Sequence, residues 1–279
     1  MFAEEYQAAK DNAMPVSLIS FEALRKGDTD TALKSVKPNE AMGAGIYRGW
    51  MLKPAEYTML YKALLERNIE LINTPEQYRF CHYLPESYEV IRDFTPKTTF
   101  KKMEAGFVYE DFKNEIEAFG SNPVILKDYV KSQKHYWDEA CFIPNAMDRE
   151  KVTSVVRKFL ELQGSDLNEG LVFREFVALE ALTNHSESGM PLTKEFRAFV
   201  KNGKVMAIYQ YWDEGDYNNV EPVIEGFEAV IPQIQSNFFT MDIAKKQNGD
   251  WIIVELGDGQ VAGLPDNANK TAFLAALKQ

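Results

Sequence analysis

Asp242-Ile243-Ala244-Lys245-Lys246-Gln247-Asn248-Gly249-Asp250-Trp251-Ile252-Ile253-Val254-Glu255 is the stretch on which the reading of this chain turns. Asn-Gly between two apolar runs is the strongest short-range signal of a two-residue hairpin loop. Such a loop at Asn248-Gly249 sets Asp242 directly opposite Glu255. Opposed side chains on paired strands have β-carbons about 4.5–5.5 Å apart, and like charges at that separation repel. A divalent cation removes the penalty, and Mg²⁺ favours carboxylate oxygens together with substrate phosphates. The other reading is a pair of solvated acids on an exposed strand face. Against it stands the near-continuous apolar run Trp251-Ile252-Ile253-Val254, which predicts a strand covered on both sides. A longer loop over residues 245–250 would shift the register and separate the acids. Beyond Glu255, Leu256-Gly257-Asp258-Gly259-Gln260 offers a third carboxylate, Asp258, between glycines.

A second Asn-Gly signal, at Asn202-Gly203, predicts another hairpin. Its first strand puts Glu195, Arg197 and Phe199 on one face and Phe196, Ala198 and Val200 on the other. An arginine on a central strand needs an anionic partner, because an unpaired buried charge is costly. Glu195, another carboxylate or a phosphate all suit its forked donors. Lys127 follows the apolar run Val124-Ile125-Leu126 and is either a surface lysine at a strand end or a phosphate clamp. Arg48, between Tyr47 and Gly49-Trp50, is a candidate contact for a substrate carboxylate at the C-terminal edge of the first sheet, where open α/β sheets bind ligands. A structural salt bridge is its other reading.

The flanking pattern divides the chain in three. Residues 1–96 read as a small α/β subdomain. It holds a helix from Phe2 to Asn12, strands at Val16–Ile19, Gly45–Trp50 (ending in a special turn) and Ile69–Ile72, and a helix from Pro54 to Arg67. Another helix opens on the capping box Thr74-Pro75-Glu76-Gln77. Residues 97–170 carry an amphipathic segment (Tyr109–Phe119), a strand (Pro123–Val130), a candidate lid (Ser132–Ile143, with Lys134, His135, Tyr136 and Trp137) and a helix (Arg149–Leu162). Residues 171–279 form antiparallel hairpins and a closing helix, Lys270–Leu277. The fold class is α+β.

Composition narrows the function. The chain has 279 residues, 45% hydrophobic and 26% charged, with a net charge of −11. That charge argues against a dedicated nucleic-acid binder but leaves room for a local basic pocket. No apolar run reaches the 18 or so residues of a membrane span, and MFAEEYQAAK has neither the basic start nor the apolar stretch of a secretory signal. Two cysteines are too few for a disulfide framework. Three scattered histidines do not suggest a zinc site. A cytoplasmic enzyme or binding protein is expected, with no membrane and no nucleic acid as partner.

The segments IYRGWM, VILKDYVKS, FREFV, KEFRAFV and VELGDGQVAGLP, in that order from about Phe2 to Leu264, resemble the ATP-grasp superfamily, and within it a clade of short bacterial and phage proteins. The resemblance implies an ATP-grasp fold, two α+β lobes holding a nucleotide between them, preceded by the small α/β subdomain. It implies ATP and Mg²⁺ as cofactors. Lys127 would contact the phosphates, with Lys97 as a second contact. Glu175 and the backbone of Phe176 and Val177 would hold adenine at the hinge, with Glu180 toward the ribose. Arg197 would meet the γ-phosphate or an acyl phosphate. Asp242 and Glu255 would hold Mg²⁺, assisted by Asp258. Gly257 stands where the superfamily often has an asparagine ligand, so that ligand is either lost or taken over by Asp258. The implied activity is carboxylate–amine ligation through an acyl phosphate, on small-molecule, peptide or protein substrates, in a chain that as a homodimer would match many relatives. A phosphoryl transferase with a hydroxyl acceptor and a silent nucleotide-binding module are the competing readings.

Overall fold

A computed structural model of the chain describes residues 2–103, 108–186 and 190–278. The N-terminal subdomain contains helix α1 (Phe2–Asp11), the short helices α2 (Phe21–Arg25) and α3 (Thr29–Ala32), strand β1 (Gly43–Gly45), α4 (Pro54–Leu65), β2 (Ile69–Leu71), α5 (Pro75–His82) and α6 (Leu84–Ile91). The Thr74 box is formed as expected: the Gln77 amide donates to Thr74 Oγ1 and Gln77 Oε1 accepts from the Thr74 amide. Proline opens both α4 and α5, where its missing N–H has no helical partner to lose. Tyr57 and Tyr78, fully buried, stack with ring centroids 4.0 Å apart at the centre of this subdomain's core.

Two expectations are corrected in this region. Val16–Ile19 is not a strand; it forms a link without regular structure to Ser20, which caps α2, and Leu18 is 63% exposed. An apolar run becomes a strand only where a neighbouring edge accepts its backbone. The strand expected over Gly45–Trp50 ends at Gly45, in parallel register with β2. Beyond it the chain turns, with the Tyr47 hydroxyl donating to the Trp50 carbonyl and its ring lying where a side chain at Gly49 would stand.

The first lobe is an antiparallel sheet of β3 (Thr98–Lys102), β4 (Val124–Asp128), β5 (Phe142–Ile143) and β6 (Gly170–Glu175), in the order β3-β6-β4-β5. Helices α7 (Lys113–Glu117) and α8 (Arg149–Gln163) belong to it. Asp148 caps α8, which packs Val152, Val155, Val156 and Phe159 onto Leu126 and Phe173. Each such fully buried side chain contributes roughly 1.5–3 kcal/mol. β6 is hydrogen-bonded between β3 and β4, so this sheet extends to Glu175.

The second lobe follows. A small pair, β7 (Ala181–Asn184) and β8 (Pro191–Thr193), leads into β9 (Glu195–Lys201), β10 (Lys204–Gln210), β11 (Phe238–Lys245) and β12 (Trp251–Asp258), ordered β10-β9-β11-β12 and antiparallel throughout. Asn202 and Gly203 both have positive φ, as a two-residue primed turn requires. The second hairpin is longer than expected: the Lys246 amide donates to the Asp250 carbonyl and the Gly249 amide to Lys246. Asp242 nevertheless pairs with Glu255, because the register shifts between Asp242 and Ile243. Helix α9 (Lys270–Lys278) closes the chain, packing Phe273 and Leu274 into one core with Ala8, Phe199 and Phe238, so both ends of the chain meet on this lobe. No helix among the described residues is long and apolar enough to cross a membrane.

Candidate functional site

A cleft of about 630 Å³ opens between the two sheets. Lys127, Lys131 and Lys134 line it from the first lobe, Arg197, Asp242 and Glu255 from the second. Four cations thus meet the Asp242–Glu255 pair within one cleft of a protein whose net charge is −11.

Each position has a cause in the fold. Arg197, Asp242 and Glu255 are opposed partners on the adjacent strands β9, β11 and β12, so their side chains leave one sheet face as a row. Arg197 grips Asp242 with two parallel bonds, Nε to Oδ1 at 2.8 Å and Nη2 to Oδ2 at 2.7 Å, and its Nη1 donates to the Gly263 carbonyl at 3.2 Å. The anionic partner that the sequence demanded is therefore Asp242, while Glu195 accepts from Thr193 Oγ1. Tyr211 covers the guanidinium, 4.6 Å from its ring centroid. Burial works to lower the Arg197 pKa; the attached Asp242 carboxylate overcomes it and raises the value.

Lys127 comes from the other sheet and forms an ion pair with Glu255. Burial works to raise the Glu255 pKa, but Lys127, with Arg174 and Arg197 farther off, holds the carboxyl below its ordinary value. Next in sequence, Asp128 is fully buried and accepts from the amides of Val130, Lys131 and Asn168, which folds the turn that presents Lys131. The candidate lid begins there. Ser132 bridges to Lys127, and Lys134 lies over the Trp212 ring of the opposite lobe at 4.7 Å, so the segment spans the cleft.

Other candidates fall elsewhere. Asp258 borders the cleft, but its carboxylate accepts from Asn73 Nδ2 at 2.6 Å and the Gln260 amide at 3.0 Å, and burial pushes its pKa up to about 7. Arg48 spends all five N–H donors within the protein, on both oxygens of Glu5 and on the carbonyls of Gly259, Gln260 and Ala262. In this structure Arg48 is thus in a salt bridge with Glu5. Lys97 donates to the Ala118 carbonyl and sits over Phe119. At the end of β6, the Glu175 and Phe176 amides donate to the Lys97 and Pro123 carbonyls, and the Phe176 ring packs edge-on against Trp137 and Phe142. Glu180 is held by Lys194 at 2.6 Å and Lys245 at 3.1 Å. Lys97, Glu175, Phe176, Val177 and Glu180 are not among the described residues that wall the cleft.

Lys131, Tyr211 and Arg174 were not singled out from the sequence. For Lys131 a signal existed, the repeated lysines of Lys127, Lys131 and Lys134; for Tyr211, beyond the Asn-Gly hairpin, there was none.

The donor set fits Mg²⁺ in one specific way. Among the described residues no group of three or more His, Cys, Asp and Glu side chains is arranged to hold a metal by itself. Two adjacent carboxylates suit an ion that completes its octahedron with phosphate oxygens and water, and each is already matched by a cation that phosphates would attract.

Two antiparallel lobes closing on such a cleft define an ATP-grasp fold. A RimK domain ATP-grasp protein from Sphaerobacter thermophilus DSM 20745 superposes with a TM-score of 0.53 at 15% identity, over 84% of this chain and 79% of that one. The chain belongs to an ATP-grasp domain family, the third family of its clade, whose model matches residues 118–277. The ATP-grasp ligase PsnB complexed with a minimal precursor (TM-score 0.47, 14% identity, 80% of this chain and 68% of that one) and C-terminally truncated Cdc123 from Schizosaccharomyces pombe (0.48, 19%, 67% and 87%) are also similar. No curated protein matches the sequence.

Proposed function

We propose that this chain is an ATP-dependent ligase that joins a carboxylate to an amine through an acyl phosphate, with MgATP bound in the cleft. The observation that carries the reading is the meeting of Lys127, Lys131, Lys134 and Arg197 with the Asp242–Glu255 pair on its walls. Asp242 and Glu255 would hold Mg²⁺, which supplies charge neutralisation at the transferring phosphoryl group.

The three lysines oppose the phosphate oxygens. The fork of Arg197, held by Asp242 in this structure, would pass from that carboxylate to the γ-phosphoryl group or the acyl phosphate as Asp242 turns to Mg²⁺, since planar, bidentate donors match that geometry. A substrate carboxylate oxygen attacks the γ-phosphorus and ADP leaves; an amine nitrogen then attacks the acyl carbon and phosphate leaves. No protein nucleophile is needed, so the protein's work is positioning and preorganised charge. The segment Ser132–Ile143, reaching Trp212 through Lys134, would exclude the water that hydrolyses an acyl phosphate. Adenine is assigned to the hinge at Glu175–Val177. Because the Phe176 amide is engaged with Pro123, the exposed Phe176 ring is the better contact there.

The test is a screen of amino acids and peptides for turnover with MgATP, following ADP and phosphate together. Release of both only when a carboxylate and an amine are present supports the reading. ADP without phosphate points to transfer to a hydroxyl, and no nucleotide binding at all overturns it.

A further inference from the structure

The β11–β12 hairpin closes on Lys246 and Asp250 and pairs Ile243 with Ile253, yet the next residue back, Asp242, pairs with Glu255. The difference is taken up by a β-bulge that leaves Val254 without an opposed partner on β11. Side chains alternate along a strand with a period of two, so a one-residue slip sends each of them to the other face. Continued without the bulge, the register set by the turn would put Val254 opposite Asp242 and aim Glu255 away from the cleft. The carboxylate pair exists because of the bulge.

A bulge disrupts the ladder and leaves backbone groups to be satisfied otherwise. Here the satisfying groups come from the other side of the molecule. Arg174, in the middle strand β6 of the first lobe, donates from Nη1 to the Val254 carbonyl and from Nη2 to the Ile253 carbonyl at 3.2 Å and to Thr95 Oγ1 at 2.5 Å. Thr95 Oγ1 donates to that same Ile253 carbonyl at 2.8 Å, and the Ile253 amide to the Phe94 carbonyl at 2.8 Å. Arg174 is 7% exposed, and these contacts are to carbonyl and hydroxyl oxygens rather than to a carboxylate. Burying a charge for neutral oxygens is costly; an apolar side chain would fill the space at lower cost if filling were the task.

We infer that Arg174 is a positioning residue for Glu255: by holding the Ile253 and Val254 carbonyls it fixes the bulge that sets Glu255 beside Asp242. The inference rests on the reading of those two carboxylates as the Mg²⁺ ligands. It makes the docking of the two lobes and the register of the acids a single constraint.

The test measures Mn²⁺ binding in the presence of ADP, by electron paramagnetic resonance, on the wild type, Arg174→Leu, and Arg174→Leu combined with deletion of Val254. Deleting Val254 leaves a regular strand in which Glu255 faces Asp242 with no bulge to hold. Arg174→Leu is expected to weaken Mn²⁺·ADP binding about 10–100-fold, the usual effect of removing an outer-shell support, and the deletion to restore most of it. A role in general stability alone would leave the double variant no better than the single one. Equal binding by wild type and Arg174→Leu overturns the inference, as does a double variant that stays weak. If Arg174→Leu does not fold, recovery of fold and binding by the deletion supports the inference, and its failure overturns it. A wild type that binds no Mn²⁺·ADP overturns the reading of the site instead. Amide exchange at residues 253–255 then tests the bracing by itself: faster exchange in Arg174→Leu supports it, and unchanged exchange overturns it.

Discussion

Lys127 on β4 and Glu255 on β12 form an ion pair that crosses the cleft from one sheet to the other, with the lysine buried and the carboxylate half exposed. Each group would turn toward a different part of MgATP, so the pair is both a tie between the lobes and a store of site charge that the nucleotide would redistribute. Lys127→Met removes the tie. An exposed pair contributes about 0.2–1 kcal/mol and breaking a buried one costs about 3–5 kcal/mol; for this half-exposed pair a loss of about 2 kcal/mol is expected in urea unfolding. ADP affinity should fall as well, and a variant that binds ADP as tightly as wild type would remove Lys127 from the phosphate site.

Asp242 and Arg197 predict an asymmetry. Asp242→Asn leaves the Arg197 guanidinium buried without its carboxylate, and a loss of about 3–5 kcal/mol is expected. Replacing both partners, Arg197→Met with Asp242→Leu, should recover much of that stability, because two apolar groups carry no desolvation penalty. Urea titrations of the three proteins measure this, and all the variants should lack MgATP turnover.

Asp258 predicts a pH dependence. Its pKa of about 7 in the folded chain lies above the ordinary 3.8, because burial outweighs the bonds from Asn73 and Gln260. The folded state therefore holds the proton more tightly. The contribution is fully present below pH 3.8 and is lost as pH rises through about 7, a span of order 4 kcal/mol. Asp258→Asn should flatten this component, so the stability difference between variant and wild type should shift in the variant's favour from pH 4 to pH 8. A difference that does not change with pH would place the aspartate in a better-solvated state than its geometry indicates.

Arg48 predicts a defect of structure. With all five donors on Glu5 and the 259–262 loop, Arg48→Ala leaves a buried carboxylate and three carbonyls without their donor. A loss of about 3 kcal/mol or more is expected, seen as a Tm below that of wild type by the same margin with and without saturating carboxylate substrate. A folded Arg48→Ala protein with wild-type Tm and a raised KM for the carboxylate would return Arg48 to the substrate.

What the sequence determined by itself was local. Asn202-Gly203 made its primed turn because both positions tolerate positive φ, and Thr74–Gln77 made its box because cap and third residue satisfy each other three positions apart. The motif order, with Lys127, Arg197, Asp242 and Glu255 at its key points, also indicated the family and brought those four side chains to one cleft. What the tertiary structure decided was partnership. Nothing near Arg48 in sequence announces Glu5, and nothing near Glu180 announces Lys194 and Lys245, since an ion pair depends on which distant strands come together. The facing of Asp242 and Glu255 shows both levels at once. The sequence expected it from a two-residue turn, but the turn is longer, and a bulge braced from the other lobe restores the register. Turn residues set local backbone angles, whereas register is fixed only when every buried polar group along the strand has found its partner.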